Sequence, residues 1–577
     1  MNSLLLVLLA GIGYVIAYNT YGKFLAKKIL QLNTKNKLPS HEFRDNVDFV
    51  PTKKHILFGH HFTTIAGLGP IVGPAIGIIW GWVPAFLWVF FGSILMGAVH
   101  DFATLVISGR NKGKTIGDLT GTMISPSTRF AFQFLMQFLL FIVLSVFAMI
   151  VGVLFKMYPS AVIPVWLQIP IAVWLGWQIR KGKSDLLYSI IAVAMLYASI
   201  WLGLKFPVVV PPIMGSEVVT WCIILFVYVF FASTVPVQKL LQPRDYINSH
   251  QLLVAIFLLI LGLFVAHPQI TAPAINPAAF QPGSDIPALM PLLFITIACG
   301  AVSGFHSLAS SGTTVKQIDN EKDMQFVGYG SMIWESFLAV LVLMAVAGGL
   351  GMGLEKEGIL YTGAEAFRHH YHSWATASGL GAKLEAFIVG GANLLESYGI
   401  PHAFGTALIA VFIVSFANTT LDSTARIQRL SLQEIFKTKY DKVCKPVNNR
   451  YFATFLVVAA ASLMTFAKPG AQGALLLWPL FGALNQLLAA LALGVVTIYL
   501  YQTSKNILIS FIPMVFVLIA TIWAMIQNLQ KFWNNGDVLL IIFASLILVL
   551  TAWLLLSGLA TMKTWTAIKV KPANVSS

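Results

Sequence analysis

Long apolar runs are the feature of this sequence that most limits how it can fold. A helix that crosses a bilayer needs about 20 consecutive apolar residues, and the chain offers fifteen candidate spans of this kind. They are 2–18, 62–80, 82–107, 130–155, 160–178, 186–205, 217–232, 250–267, 289–308, 331–352, 400–420, 451–467, 473–500, 507–528 and 538–558. Only 10% of the 577 residues are charged, against about 25% in a soluble domain. The sequence therefore predicts an all-α polytopic membrane protein and excludes a soluble enzyme or a disordered chain.

The distribution of basic residues predicts the orientation in the membrane. The chain carries 37 Lys and Arg against 22 Asp and Glu, a net charge of +15. With the N-terminus outside and fifteen alternating spans, 30 of the 37 basic residues fall on the cytoplasmic side. This positive-inside pattern indicates a lipid bilayer as the partner and not nucleic acid. We expect a multi-pass protein of a bacterial plasma (inner) membrane with a cytoplasmic C-terminus.

Two of the candidate spans contain much glycine, proline and serine. Glycine and proline weaken a helix and free backbone groups, which are tolerated at membrane depth only inside protein or beside a wet cavity. The residues concerned are Gly67, Gly69, Pro70, Gly73, Pro74 and Gly77 in the first span, and Gly300, Ser303, Gly304, His306, Ser307, Ser310, Ser311 and Gly312 in the second. One interpretation is close helix packing through small residues. The other is a pair of discontinuous helices that form a binding site, as in secondary transporters with inverted repeats.

Ionisable residues at membrane depth are costly and are functional candidates by default. On the predicted topology, several of them gather toward the cytoplasmic side. They are His60, His61, His100, Asp101, His306 and Glu335. Such a cluster fits a proton relay or an inner gate, because histidine exchanges protons near neutral pH. The alternative is a set of interfacial ion pairs and helix caps.

A third group of candidates ends the run at 400–420. Ser415, Asn418 and Thr419 supply neutral oxygens of the kind that hard cations prefer, and the alternative is side-chain capping of the helix end. Enzyme motifs are missing: the sequence has no H-E-x-x-H and no G-x-S-x-G. We therefore predict no metal and no cofactor, apart from a coupling H⁺ or Na⁺.

Six blocks, several with charged residues inside apolar runs, extend through most of the chain. They are GPAIGIIWGWVPAFLWVFFGSILMGAVHDF (73–102), PVQKLLQPRDY (236–246), ACGAVSGFHSLASSGTT (298–314), GYGSMIWESFLAV (328–340), FANTTLDSTARIQR (416–429) and WPLFGALNQLLAALAL (478–493). These blocks resemble the carbon starvation protein A family, the peptide transporter carbon starvation group. The resemblance implies an inner-membrane uptake system induced by carbon starvation, for peptides or, in some branches, for pyruvate with protons. It also implies the inverted-repeat core of the amino-acid/polyamine/organocation superfamily, which is leucine-transporter-like.

Residues and resemblance together predict a secondary active uptake transporter that works by alternating access. We expect a single transmembrane domain with its core at 60–500 and broken helices near 62–80 and 289–315. Accessory helices at 501–558 and a cytoplasmic tail at 559–577 would follow. The alternatives are an intramembrane metal-dependent enzyme that uses the histidines, and a starvation sensor. The choice between peptide and pyruvate, and the oligomeric state, stay open.

Specific residues are assigned to each role in this hypothesis. An anionic group of the substrate would lie at half-helix N-termini, where the helix dipole favours negative charge. The predicted substrate-binding residues are Gly67, Gly69, Gly73, Gly77, Gly300, Ser303, Gly304, His306, Ser307 and Gly312. The residues predicted for proton coupling or gating are His61, His100, Asp101 and Glu335, and those for a cation are Ser415, Asn418 and Thr419.

Overall fold

The computed structural model describes residues 2–281, 283–437 and 445–564. Within these residues, twelve helices are long and apolar enough to cross a membrane, and one bent pair of helices brings the number to thirteen. The twelve are Ser3–Ile29, Trp82–Arg110, Pro126–Met157, Pro159–Arg180, Asp185–Lys205, Glu217–Thr234, Leu241–Ala266, Glu321–Met352, His402–Phe436, Pro469–Gln502, Leu508–Asn535 and Val538–Lys563. The prediction of an all-α polytopic membrane protein is confirmed.

The predicted count of fifteen spans is wrong, and three runs account for the difference. The runs 62–80 and 289–308 are each divided into two short helices by a glycine-containing interruption. The run 451–467 forms Arg450–Thr465, whose 16 residues are fewer than the about 20 that a span needs. Hydropathy does not reveal these differences, because a broken or short helix is as apolar as a long one.

Shorter elements join the long helices. A two-stranded antiparallel hairpin pairs Leu354–Lys356 with Ile359–Tyr361. The short α-helices outside the broken spans are Pro39–Glu42, Ile116–Met123, Gly363–His370, Trp374–Ala377, Leu380–Glu396 and Lys445–Asn448. The hairpin and three of these helices form a connecting segment, 353–401, between two membrane-spanning helices.

The first broken helix consists of Lys54–Ile65 and Gly69–Trp80, which are bent by 46° to one another. Pro70 lies in the first turn of the second half, where its missing amide costs no helical hydrogen bond. The break packs directly on the long helix His402–Phe436, because a methyl group added at Gly67 would collide with the side chain of Thr420. Glycine is therefore required at this position by the close approach of a neighbouring helix.

The second broken helix consists of Leu289–Thr296 and Gly304–Gly312. Between the halves, Gly300 has a φ of +86°, which side-chain-bearing residues rarely adopt. The two broken helices lie side by side. A methyl group added at Gly73 would lie 2.8 Å from the carbonyl oxygen of Thr296, so the helix backbones are nearly in contact there.

The end of the chain adds helices outside the two breaks. Leu508–Asn535 packs against the preceding helix Trp478–Gln502 and against Leu289–Thr296, and the last helix packs on Leu508–Asn535. The predicted boundaries of core and accessory region stay a prediction. Residues 559–564, assigned to a tail, continue the last helix, and 565–577 lie outside the described residues.

Candidate substrate cavity and buried relay

A cavity of about 240 Å³ lies between the two broken helices. This is slightly below the about 300–1,000 Å³ of pockets for drug-sized ligands, so it suits a small substrate. Its walls come from both broken helices, three long helices and the connecting segment. The residues are Leu68, Gly69, Val72, Gly73, Ile76, Phe147, Ile150, Leu292, Ile295, Thr296, Ala298, Cys299, Trp374, Lys383, Trp478, Pro479, Phe481, Gly482, Asn485 and Asn528.

The predicted substrate residues divide into those that line this cavity and those that support it. Gly69 and Gly73 line it directly. Gly67 packs on Thr420 and Gly77 on Ile297, so both permit helix packing at the edge of the cavity. These contacts agree with both interpretations of the glycine-rich spans, since close packing and broken helices occur together.

The serine and glycine residues of the half-helix Gly304–Gly312 do not line the cavity. Ser307 donates to the carbonyl of Gly304 within its own helix, and Gly312 packs against Ile427. Ser303 is the exception, because its hydroxyl lies 3.0 Å from Nδ2 of Asn485. Ser303 therefore connects the break to the floor of the cavity.

Asn485 forms that floor and was not predicted from the sequence. Its Oδ1 accepts a hydrogen bond from the amide of Phe305 at 2.9 Å, and its own side chain is fully buried. The side chain therefore caps the first turn of Gly304–Gly312 and also faces the cavity. An asparagine inside the apolar run WPLFGALNQLLAALAL was the signal that could have identified it.

Four ionisable side chains form a continuous buried row, called here the relay: Glu335, His306, Asp101 and His100. His306 lies in the middle, with Nε2 3.1 Å from Glu335 and Nδ1 3.0 Å from Asp101. The other oxygen of Asp101 lies 2.9 Å from Nδ1 of His100. All four side chains are fully buried. The structure thus brings together three distant parts of the sequence, residues 100–101, 306 and 335, in one row of proton-exchanging groups.

The relay is connected to the break in the second broken helix. The amide of Gly300 donates to Oε1 of Glu335 at 3.0 Å. Cys299, the neighbouring residue, lines the cavity and has its sulfur within 4.8 Å of ligand atoms of His306 and Glu335. The cavity and the relay therefore meet at the unwound backbone of residues 299 and 300.

The other predicted histidine lies apart from this row. Nδ1 of His61 is 2.8 Å from the hydroxyl of Thr314, in the short helix Thr314–Gln317 that follows the second broken helix. His60 next to it is 2.5 Å from Asp245, in a separate buried network. Spacing along the sequence does not show this difference, because adjacent residues on a helix point to different neighbours.

The predicted cation residues lie on His402–Phe436. The Ser415 hydroxyl and the Asn418 side-chain oxygen are buried without a hydrogen-bond partner among the described residues. The Thr419 hydroxyl accepts from Arg244 at 3.2 Å and from Asn248 at 2.8 Å. A cation bound at Thr419 would therefore lie beside a guanidinium, which repels it.

Cys299, His306 and Glu335 have the spacing of a metal site among the described residues. Thiolate, imidazole and carboxylate together suit zinc best. Both ring nitrogens of His306 already face carboxylates at 3.0 and 3.1 Å. A metal would have to displace one of these contacts.

At one end of the fold, ion pairs join the segment before the first broken helix to the long helix His402–Phe436. Asp48, in the segment before the first broken helix, contacts Arg426 at 2.6 Å and Arg429 at 2.9 Å. Burial raises the pKa of Asp48, but the guanidiniums of Arg429 and Arg426 outweigh it and hold that pKa well below its ordinary value. The same segment is hydrogen-bonded from the Val50 amide to the carbonyl of Lys316, in the short helix Thr314–Gln317 that follows the second broken helix. Arg110 and Glu321 form a second ion pair at this end.

The fold has counterparts among solved membrane transporters. A mutant of the Eremococcus coleocola manganese transporter aligns with a TM-score of 0.50 at 12% identity, over 90% of this chain and 98% of that one. MhsT in complex with L-phenylalanine aligns with a TM-score of 0.50 at 12% identity, over 82% and 98%. The two broken helices beside a cavity therefore belong to a fold that this chain shares with these two proteins.

Sequence comparisons identify the family. The family model described as carbon starvation protein CstA matches residues 2–524, and this chain belongs to that family. The peptide transporter CstA of Campylobacter jejuni is 31% identical over 93% of this chain and 82% of its own length. The pyruvate/proton symporter BtsT of Escherichia coli is 33% identical over 90% and 81%. The peptide transporter CstA of Bacillus subtilis is 30% identical over 92% and 91%.

Proposed function

We propose that this protein imports a small carboxylate-bearing molecule, a peptide or pyruvate, together with protons. The observation that carries the proposal is the hydrogen bond from the Gly300 amide to Glu335. It joins the wall of the cavity to a buried chain of proton-exchanging groups. The names of the relatives support both substrates, because one is a pyruvate/proton symporter and others are peptide transporters.

The physical basis of coupling is the charge on Glu335. A carboxylate accepts a stronger hydrogen bond from an amide than a protonated carboxyl does. Protonation would weaken the contact with Gly300 and its attraction to His306, so the unwound segment would rearrange more easily. Because linkage is reciprocal, substrate in the cavity would change the affinity of the relay for a proton by the same factor.

The orientation of the protein in the membrane is part of this proposal. We place the N-terminus outside and the connecting segment 353–401 on the outer side. Eight long helices and two broken helices precede residue 353. If each broken helix crosses the membrane once, these ten crossings keep the positive-inside pattern. The cavity then lies toward the outside, and the ion pairs of Asp48 close the cytoplasmic side. Substrate would enter past the connecting segment, and these ion pairs would break before release into a bacterial cytoplasm.

Uptake into proteoliposomes tests the proposal. Labelled pyruvate and a labelled dipeptide are offered separately, with and without an inward proton gradient, and a sodium gradient replaces the proton gradient in a third set. Proton-driven accumulation of either compound, removed by excess unlabelled compound, supports the proposal and selects the substrate. Accumulation driven by sodium alone contradicts the coupling ion. No accumulation under any gradient, in folded protein, contradicts transport of these substrates.

A further inference from the structure

Lys383 is the charged side chain of the cavity. Among the described residues that line the cavity, no other is acidic or basic. It belongs to Leu380–Glu396 of the connecting segment, and is partly buried. Cys299 and Asn485 also line the cavity and contact each other at 3.8 Å. The cavity therefore combines one cationic group with neutral polar groups.

This ammonium group has no ion-pair partner among the residues that the structure describes. None of the described carboxylates lies within 4 Å of Lys383, and the nearby Glu385 is already paired with Lys356 at 2.6 Å. Partial removal from water disfavours an unpaired charge, and this burial lowers the pKa of Lys383 to about 8. The missing partner at the wall of a cavity indicates that a ligand supplies the negative charge.

The half-helix N-termini at the breaks offer less to an anion than the sequence predicts. The amide of Phe305 is taken by Asn485, and the amide of Gly300 by Glu335. In the first broken helix, the amides of Ile71 and Val72 both donate to the carbonyl of Leu68. With these amides occupied, the ammonium group of Lys383 is the strongest positive charge that faces the cavity.

We propose that Lys383 binds the carboxylate of the transported substrate at the outer end of the cavity. The rest of the substrate then extends between Gly69 and Gly73 on one side and Thr296 on the other. The shared chemistry is a carboxylate on a small molecule, which pyruvate and the C-terminus of a peptide both provide. This assignment rests on the proposed function, and it names the group that selects for anionic substrates.

Substitution of Lys383 tests the assignment through the Michaelis constant. Substrate counterflow, which needs no gradient, is measured in proteoliposomes for the native protein, Lys383→Gln, Lys383→Arg and the control Lys468→Gln. Lys468 is an exposed lysine distant in sequence from the connecting segment and outside the cavity. We expect Lys383→Gln to raise KM about 10- to 100-fold, the value of a hydrogen bond to a charged group. Lys383→Arg should restore most of the affinity, because it keeps the charge.

A pair of competitors separates recognition of the carboxylate from a general loss of structure. Pyruvate is compared with pyruvamide, and a dipeptide with its C-terminal amide, as inhibitors of counterflow. The native protein should prefer the carboxylate, and Lys383→Gln should lose that preference. If each amide competes as well as its carboxylate in the native protein, the assignment is overturned. An unchanged KM in Lys383→Gln also overturns it.

The outcomes also separate this inference from the proposed function. Native protein that shows no counterflow of either compound contradicts the proposed substrates before Lys383 is considered. Native counterflow with unchanged carboxylate preference in Lys383→Gln contradicts the role of Lys383 alone. If Lys383→Gln unfolds, Lys383→Met and Lys383→Arg replace it, and equal carboxylate preference in those two variants overturns the role of the charge.

Discussion

Replacing Glu335 by glutamine removes the ionisable group beside the break and keeps the size of the side chain. The amide oxygen can still accept from Gly300, which donates to the native carboxylate at 3.0 Å. The charge that faces His306 at 3.1 Å is lost, and with it the proton that would bind there. We expect a folded protein that exchanges substrate across the membrane but no longer uses a proton gradient.

The size of the effect follows from the energy in the gradient. A pH step of one unit stores about 1.4 kcal/mol for each proton. This energy supports about tenfold accumulation when one proton moves with each substrate molecule. Glu335→Gln should reduce the accumulation ratio from about ten to about one, while counterflow without a gradient continues.

The assay applies the same pH step to proteoliposomes with the membrane potential held at zero. Glu396→Gln is the matched control, because Glu396 also pairs with a histidine, His402 at 2.9 Å, but lies exposed outside the relay. The control should keep the native accumulation ratio. If Glu335→Gln keeps the accumulation ratio of the native protein, the proposed role of this carboxyl in coupling is refuted.

Three further experiments test other parts of the structure. Gly69→Ala places a methyl group against Cys299 and should lower uptake about tenfold or more through overpacking. The control Gly405→Ala, whose methyl group meets only ordinary contacts, should leave uptake unchanged. Equal uptake by both variants contradicts the close approach of the two broken helices. Asp48→Asn removes the partner of two guanidiniums and should increase cytoplasmic labelling of a cysteine placed at Thr313 about tenfold or more. Because the pKa of Asp48 is lowered, the native ion pairs are present at neutral pH and are lost only in acid. Labelling of the protein with native Asp48 should therefore stay constant between about pH 5 and 8. A change of labelling with pH in that range contradicts the lowered pKa. Chelation of zinc and manganese should leave uptake unchanged, and loss of uptake with recovery on adding zinc would favour a metal at Cys299.

Much of the architecture could be predicted from the sequence because hydrophobic length is a local property. A run such as 130–155 must cross the membrane wherever it lies in the fold, and the structure has Pro126–Met157 there. The two interrupted spans were also predictable in kind, since the glycine and proline residues around Gly69 and Gly300 act on their own backbone. The number of spans could not be predicted, because it depends on where each apolar run is interrupted.

The candidate site was predictable only in part. Glu335, Asp101 and His306 were identified because a charged residue at membrane depth is costly in any arrangement. Their order in the relay, and the separation of His61 from it, depend on how three helices rotate against one another. Lys383 was missed because a lysine is not unusual in its polar connecting segment, whereas Asn485 could have been found from its place inside an apolar run.

The sequence by itself therefore determined the membrane location, most of the spanning helices, the positions of the two breaks and the residue types available for coupling. The tertiary structure decided which of those residues meet. Hydropathy and backbone preference act within a few residues of the chain, whereas the 3.0 Å contact between Gly300 and Glu335 joins two helices. A cavity with a single lysine exists only once the connecting segment has packed beside the broken helices.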